Sequence, residues 1–589
     1  MFATLSLLSL LLALPLCVLA TCARETRVRH DATQQRIAVH VHADTDVDAL
    51  ADALGLECVG PVGALAHHYV LQTTPEHRRR RRRSAVVDMD MGNVSEALRS
   101  HAHVHWFGEQ RQRTLVKRSG YVVRDPEFAN QWHLQAANAA SLNVQRVWDA
   151  GVFGAGVVVC IVDDGLAFTH PDLSANFRAD LSYDFNDDDP DVTPLPSIDD
   201  HGTSAAGACC AIHNMDASDA VAEEAFCGVG VAPRASTSAV RLVSRGTEDY
   251  QEVGVAYKAD GGNDVFSNSW GPPDDGRRLE GPGPLASKAR EQAMQNGRGG
   301  RGPIYVWAAG NGRQSGDNCN YDGWANHRYA LTIGAVESDL KQPYYSENCA
   351  SMFGVAPSNG RGFGGITTTD LLGTAGTSAG ACTNRFGGTS AAAPLAAGIV
   401  ALVLSIRPDL GWRDVQGVFA LSSEPIDVAD ASWQTTGAGL HFSHKYGFGL
   451  INAESAVDLA RNWVNYKGVQ AISSGVRPMN ALLVPGGTLE AKFECDAHAK
   501  RVLHVDLMMF VAHPRRGELE IRLRSPHGTV SELQDYHSDT HTDIGNWTYT
   551  SVANWHEPAA GTWTVTLANM PKAAGQWMLF EMILHTVDM

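Results

Sequence analysis

The spacing of apolar residues changes character along the chain. Residues 1 to 23 carry no charge and run almost wholly apolar from Leu5 to Leu19, with small residues at Ala20 and Ala23. That run is short for a membrane span and fits a cleaved secretory signal, although the usual basic n-region is missing. From about Asn143 to Asn462, apolar β-branched runs alternate with longer helical stretches. Val157–Val162, Ile304–Trp307 and Leu331–Ala335 predict fully buried strands, and Ala391–Leu404 predicts a buried helix. Such alternation predicts a parallel sheet covered by helices on both faces. After about Tyr466 come short alternating segments broken by turns: Val502–Val511, Leu519–Leu523, Trp563–Leu567 and Trp577–Leu584. These predict a β-sandwich or jelly roll. No later stretch approaches the ~20 apolar residues of a transmembrane helix, so no membrane anchor is expected.

A chain of 589 residues exceeds one core and implies two or three domains. Its formal charge of −18 argues against nucleic-acid binding, which needs a basic face to neutralise phosphates. The charge is unevenly spread. Residues 24 to 118 hold 15 Lys and Arg against 12 Asp and Glu, whereas residues 119 to 589 hold 32 against 53. A cationic leader therefore precedes an acidic body suited to cationic partners. The leader carries the run Arg78–Arg83 and ends near Lys117-Arg118; a charge run taken alone reads as a solvated linker. None of the eleven cysteines shows the paired CxxC spacing of a zinc site. Cys160, Cys209 and Cys210 read as buried thiols.

Three segments carry the chemistry. Val162-Asp163-Asp164-Gly165 sits where a buried strand ends, and open α/β sheets build their sites at the carboxyl ends of strands. In His201-Gly-Thr-Ser-Ala-Ala-Gly207, small residues let a helix start close against the sheet. Gly388-Thr-Ser390-Ala-Ala-Ala-Pro394 puts a hydroxyl just before an apolar helix. A serine hydroxyl is a poor nucleophile at neutral pH and needs a histidine to take its proton and a carboxylate to orient that histidine. Each segment alone is a weak signal, since a serine before a helix is usually an N-cap. The order Asp, His, Ser with these flanks is specific.

These three blocks resemble the signatures of subtilases. Ser267-Asn268-Ser269-Trp270-Gly271-Pro272-Pro273-Asp274-Asp275-Gly276 and Trp307-Ala-Ala-Gly-Asn311-Gly resemble the kexin/furin-type proprotein convertases within them. The resemblance implies a signal peptide (1–23), an α+β inhibitory prodomain (24–118), an α/β subtilisin-like parallel-sheet catalytic domain (119–464) and a β-sandwich P domain (465–589). It implies a secreted or secretory-pathway serine endoprotease, monomeric and calcium-dependent, that cuts proproteins after paired basic residues. The alternative is a broad-specificity degradative subtilase.

Carried over residue by residue, the resemblance makes Asp163, His201 and Ser390 the triad and Asn311 the oxyanion donor. Asp274 and Asp322 would line the pocket for the arginine before the cut. Asp164, with Asp199 or Asp200, would meet the next residue back. Glu252, Glu280 and Trp324 would form an outer subsite, with Glu280 where the family commonly has Asp and Trp324 where it often has Tyr. Calcium takes about six to eight oxygen ligands. The implied sets are Asp184, Asp189 and Asp191; Asp274, Asp317 and Glu347; and Asp125 with Asp172, where Glu224 replaces the usual Asn. Implied disulfides are Cys227–Cys382 and Cys319–Cys349. Cys495 matches half of a P-domain bridge whose partner is absent. Self-cleavage is implied after Lys117-Arg118, leaving the leader as an inhibitor in the acidic cleft.

Overall fold

A computed structural model describes residues 36–62, 65–73, 91–110, 121–196, 198–213, 226–362, 364–373, 376 and 380–589. The expected signal, the arginine run 78–83, Lys117-Arg118 and Glu224 lie outside the described residues. The chain divides into two units, residues 1–117 and 118–589. In the first, β1 (Arg36–Val41), α1 (Val47–Ala53), β2 (Leu56–Pro61), β3 (His68–Thr73), α2 (Met91–Ser100) and β4 (Val104–Gln110) form an α+β body. Its antiparallel sheet runs β2-β3-β1-β4. Ile37, Val39 and Val41 bury one face of β1 with Leu50, Val94 and Leu98.

The second unit is built on a seven-stranded parallel sheet. Its strands are β5 (Val158–Asp163), β6 (Tyr183–Asp184), β7 (Ser236–Arg241), β8 (Val265–Asn268), β9 (Ile304–Ala308), β10 (Ala330–Val336) and β11 (Met352–Pro357). Every residue of β5, β8, β9, β10 and β11 is buried, as a sheet covered on both faces requires. The order β11-β10-β9-β8-β5-β7-β6 reverses direction at β5, which opens a crevice at the carboxyl ends of the strands. Four helices matter for the site: α3 (His201–Cys210), α4 (Asp249–Asp260), α5 (Pro284–Gly300) and α6 (Thr389–Ile406). Among the described residues α6 is long and apolar enough to cross a membrane, but it is a core helix packed on β8, β9, β10 and β11.

The C-terminal part is a sandwich of a five-stranded and a four-stranded antiparallel sheet. Leu519–Arg524 and Gly561–Asn569 alternate buried and more open positions, and Leu507, Met509, Trp563 and Trp577 fill the space between the sheets. The sandwich is docked on the α/β body within the same unit. Trp547 Nε1 donates to the Asn320 carbonyl (2.9 Å), Asn320 Nδ2 to the Thr550 carbonyl (2.9 Å) and Asn326 Nδ2 to the Thr548 carbonyl (2.6 Å). Buried Asp506 accepts from Arg328 of the α/β body (3.2 Å), His585 (2.8 Å) and Thr550 (2.8 Å).

The structure joins Cys227 to Cys382 and Cys319 to Cys349. It corrects the expectation for Cys209 and Cys210, which are bonded to each other rather than free; as buried neighbours on α3 they have one another as partner. Cys160 and Cys495 are free and buried.

Removing the Asp506 carboxylate leaves Arg328 and His585 without their buried anion. Asp506→Ala is therefore expected to lower stability by about 3–5 kcal/mol, measured as a lower urea midpoint than that of the parent chain.

Candidate active site

Asp163 ends β5 and Asp164 follows it, and both are buried. Asp164 acts on the backbone of α3: its two oxygens accept from His201 N–H (3.1 Å) and Gly202 N–H (2.8 Å), satisfying donors that a helix start leaves open. Gly202 has no room for a side chain, because a Cβ there would overlap the Gly165 carbonyl and crowd Asp163. The same close approach brings the His201 ring to Asp163, with Nδ1 at 2.9 and 3.0 Å from the two carboxylate oxygens. Phe386 packs edge-on against the imidazole at 5.3 Å. Burial works against the imidazolium, but the charges of Asp163, Asp164 and Asp200 outweigh it and hold His201 above its ordinary range.

Ser390 occupies the first turn of α6 behind Gly388, whose φ of +69° suits glycine. Its hydroxyl donates weakly, at 3.4 Å, to the Ser269 carbonyl, while Ser269 Oγ donates to the Ser390 carbonyl (3.1 Å). Hydrogen bonds of catalytic groups are commonly long until substrate binds. Thr389 ties this turn to the loop after β9. Asn311 Oδ1 accepts from Thr389 N–H (2.8 Å) and Thr389 Oγ1 (3.1 Å), and Thr389 Oγ1 accepts from Gly310 N–H (3.1 Å). The orientation of the Asn311 amide is set by these bonds.

Beside Asn311, Asp274, Asp317, Asp322 and Glu347 line one cavity. Backbone N–H groups hold each in place: Asn311 on Asp274 (3.2 Å), Gly276 on Asp317 (2.9 Å), Trp324 on Asp322 (2.7 Å) and Gly312 on Glu347 (2.8 Å). Burial, reinforced by their mutual repulsion, pushes Asp322 up to about 7 and Asp317 to about 6, and raises Glu347 well above its usual range. Oxygens of Asp274, Asp317 and Glu347 lie within 4.8 Å of one another, an all-oxygen set that fits calcium.

The other expected sites differ. Of Asp184, Asp189 and Asp191, only Asp184 is bonded by a guanidinium. Buried Arg241 donates to Asp184 (2.7 Å), Asp187 (3.0 Å) and Asp199 (3.1 Å), while Asp189 and Asp191 accept from backbone N–H groups of their own turn. Asp199 is thereby taken up as well, leaving Asp200 as the residue beside His201. Asp125 and Asp172 are both buried; Asp125 lies 3.4 Å from His213 Nε2, and Asp172 accepts from Cys227 N–H (2.8 Å). In the outer region Trp324 Nε1 donates to Glu252 (2.8 Å), whereas exposed Glu280 lies 3.7 Å from Arg278. Sequence reasoning missed Thr389, Ser269 and Arg241. The first two stand inside the Gly-Thr-Ser and Ser-Asn-Ser motifs; the third ends the short run Ser236–Arg241, most of which is polar.

Comparison with known proteins matches three family descriptions: subtilase family over residues 154–449, proprotein convertase P-domain over 502–582 and peptidase S8 pro-domain over 36–118. Proprotein convertase subtilisin/kexin type 7 of Homo sapiens is 37% identical over 90% of this chain and 67% of its own length. Proprotein convertase subtilisin/kexin type 4 of Rattus norvegicus is 38% identical over 80% and 69%. The dibasic-processing endoprotease of Schizosaccharomyces pombe is 34% identical over 89% and 74%. Among solved structures, the serine protease of Aeromonas sobria has a TM-score of 0.69 at 22% identity, covering 81% of this chain and 97% of that one, a likeness of fold.

Because Asp163 stabilises the imidazolium, the stability this pair contributes is fully present below the free imidazole value of ~6.5 and is lost as pH rises through the raised folded value. In NMR titration the His201 ring is expected to titrate above ~6.5, and Asp163→Asn to move it downward. An unmoved titration in the variant would refute the assigned cause.

Proposed function

Starting from the fact that this chain belongs to the kexin/furin-type proprotein convertases of the subtilase family and is a serine endopeptidase, we propose that it cuts proproteins after paired basic residues, with calcium, in the secretory route. The observation that carries this reading is the carboxylate-lined cavity beside Asn311. A guanidinium entering an enclosed pocket gives up its water and needs fixed acceptors at close range, which Asp274 and Asp322 supply.

In this reading Ser390 attacks the scissile carbonyl, His201 takes its proton, and Asp163 holds the imidazole in the tautomer that can do so. The Asn311 amide, with backbone N–H near Ser390, stabilises the oxyanion, and loss of one such donor costs ~10²- to 10³-fold in rate. Asp164 and Asp200 give the next subsite back its negative field, and Glu252, Glu280 and Trp324 the outer one. Asp274, Asp317 and Glu347 would hold calcium, which neutralises three crowded carboxylates and keeps the pocket wall in shape. Residues 24–118 act as the inhibitory prodomain, 119–464 as the catalytic domain and 465–589 as the P domain. The names of the relatives, proprotein convertase and dibasic-processing endoprotease, support the substrate class.

Three outcomes follow. Ser390→Ala protein, purified and free of other proteases, is expected to keep its leader attached at Lys117-Arg118, read as the unprocessed mass; normal processing would remove Ser390 from the nucleophile role. Asp322→Asn should lower kcat/KM on substrates with Arg before the cut by more than ~100-fold under saturating calcium. Equal turnover of Arg, Lys and Leu peptides by the unmutated enzyme would leave a general degradative subtilase. Chelation should abolish activity in the parent chain and calcium should restore it.

A further inference from the structure

The sheet of the first unit buries one face and leaves a row of histidines on the other. Ile37, Val39 and Val41 turn toward α1 and α2, so strand alternation puts His40 and His42 on the opposite face. There they join three more imidazoles. His68 of β3 stacks on His40 at 4.0 Å, and His105 of β4 lies 5.0 Å from His40 and 4.2 Å from His42. His103, just before β4, lies 5.6 Å from His42. Core packing does not call for these rings: His42, His103 and His105 are exposed, and His40 and His68 are half-buried.

A break in the strand pairing places the middle ring. Val41 pairs with Val104 and His40 with Trp106, so β4 carries one residue more than β1 at this point, and that residue is His105. A β-bulge re-aims a side chain. Here it sets His105 against both histidines of the His40-Val-His42 pair on the neighbouring strand. Two imidazoles bound to one zinc, each with Zn–N of about 2.0–2.1 Å in tetrahedral geometry, have ring centroids roughly 5 Å apart. The distances from His105 to its two neighbours bracket the lower side of that spacing. The rings lie at 43° and 29° to one another, so aiming their nitrogens at one point takes rotation about side-chain bonds at the sheet surface.

The ends of the row are held by other groups. His68 Nδ1 donates to the Ala66 carbonyl (2.8 Å), and His103 Nδ1 lies 3.9 Å from Asp44. Among the described residues, His40, His42 and His105 give no ring nitrogen to another hydrogen bond. An imidazole with an ordinary value of ~6.5 is mostly neutral at slightly alkaline pH and has a lone pair to donate.

We infer that His40, His42 and His105 form a binding site for one zinc ion, with water completing the coordination. Imidazole nitrogen suits zinc, whereas calcium and magnesium take oxygen ligands. The site is therefore chemically distinct from the carboxylate set beside Asn311, and it does not depend on what the enzyme cleaves. A metal here ties β4, an edge strand and the last described element before Lys117-Arg118, to β1.

The test uses the full chain with Ser390→Ala, so that leader and body stay in one polypeptide, in saturating calcium to occupy the acidic set. Zinc is titrated in competition with a colorimetric chelator. One tightly bound zinc per chain is expected. His105→Gln should weaken it by more than ~100-fold, beyond the ~10- to 100-fold that loss of an outer-shell partner costs. His42→Gln should do the same, while His498→Gln, at an exposed histidine of the sandwich, should change nothing. His42 and His105 are exposed, so both variants should keep the far-ultraviolet circular dichroism of the parent. X-ray absorption at the zinc edge, a readout that needs no variant, should show imidazole ligands with nitrogen at ~2.0–2.1 Å. Zinc affinity unchanged in His105→Gln, or a zinc shell made of oxygen alone, would overturn the site. So would a leader whose stability follows the protonation of these histidines and ignores zinc.

Discussion

Two adjacent carboxylates at the end of β5 hold the start of α3 in two ways, and the rest of the site depends on that grip. Asp164 takes the helix by its backbone, through His201 N–H and Gly202 N–H; Asp163 takes the His201 ring. The backbone bonds are possible only because Gly202 lets the helix approach the strand so closely. A helix N-terminus also has unpaired donors and a partial positive charge, so a carboxylate there is doubly favoured. The imidazole is thereby held in position before any substrate arrives.

The opposite wall is held by analogous means on a different element. Thr389, at the start of α6, bonds through backbone and hydroxyl to Asn311, so the helix carrying Ser390 is tied to the loop carrying Asn311. The loop that follows, residues 317–326, is fastened by Cys319–Cys349 and by the bonds of Asn320 and Asn326 to the β-sandwich. Asp322 and Trp324 sit on that loop. The sandwich therefore supports the acidic cavity from behind, although its residues line none of it.

Charge accounts for the contrasts within the molecule. Where Asp184, Asp187 and Asp199 gather around Arg241, the arginine bonds all three. Where Asp274, Asp317, Asp322 and Glu347 gather without a bonded cation, burial and repulsion raise their affinity for protons, and equally for a metal or a basic side chain.

Much of this was legible in the sequence because it is local. Mostly apolar runs marked the buried strands β5, β9 and β10 and the helix α6, since burial on both faces leaves few polar positions; alternation marked the sandwich, where only one face is buried. Motif order and flanking small residues identified Asp163, His201, Asn311 and Ser390 as candidates. The pairing of charges over long sequence separations was not legible. Only the fold brings Arg241, more than fifty residues later, onto Asp184. Nor could composition reveal that Arg328 would meet Asp506 from the sandwich. Local propensity is written in neighbouring residues; the balance of buried charge is decided by which distant groups the tertiary structure brings within a few ångströms.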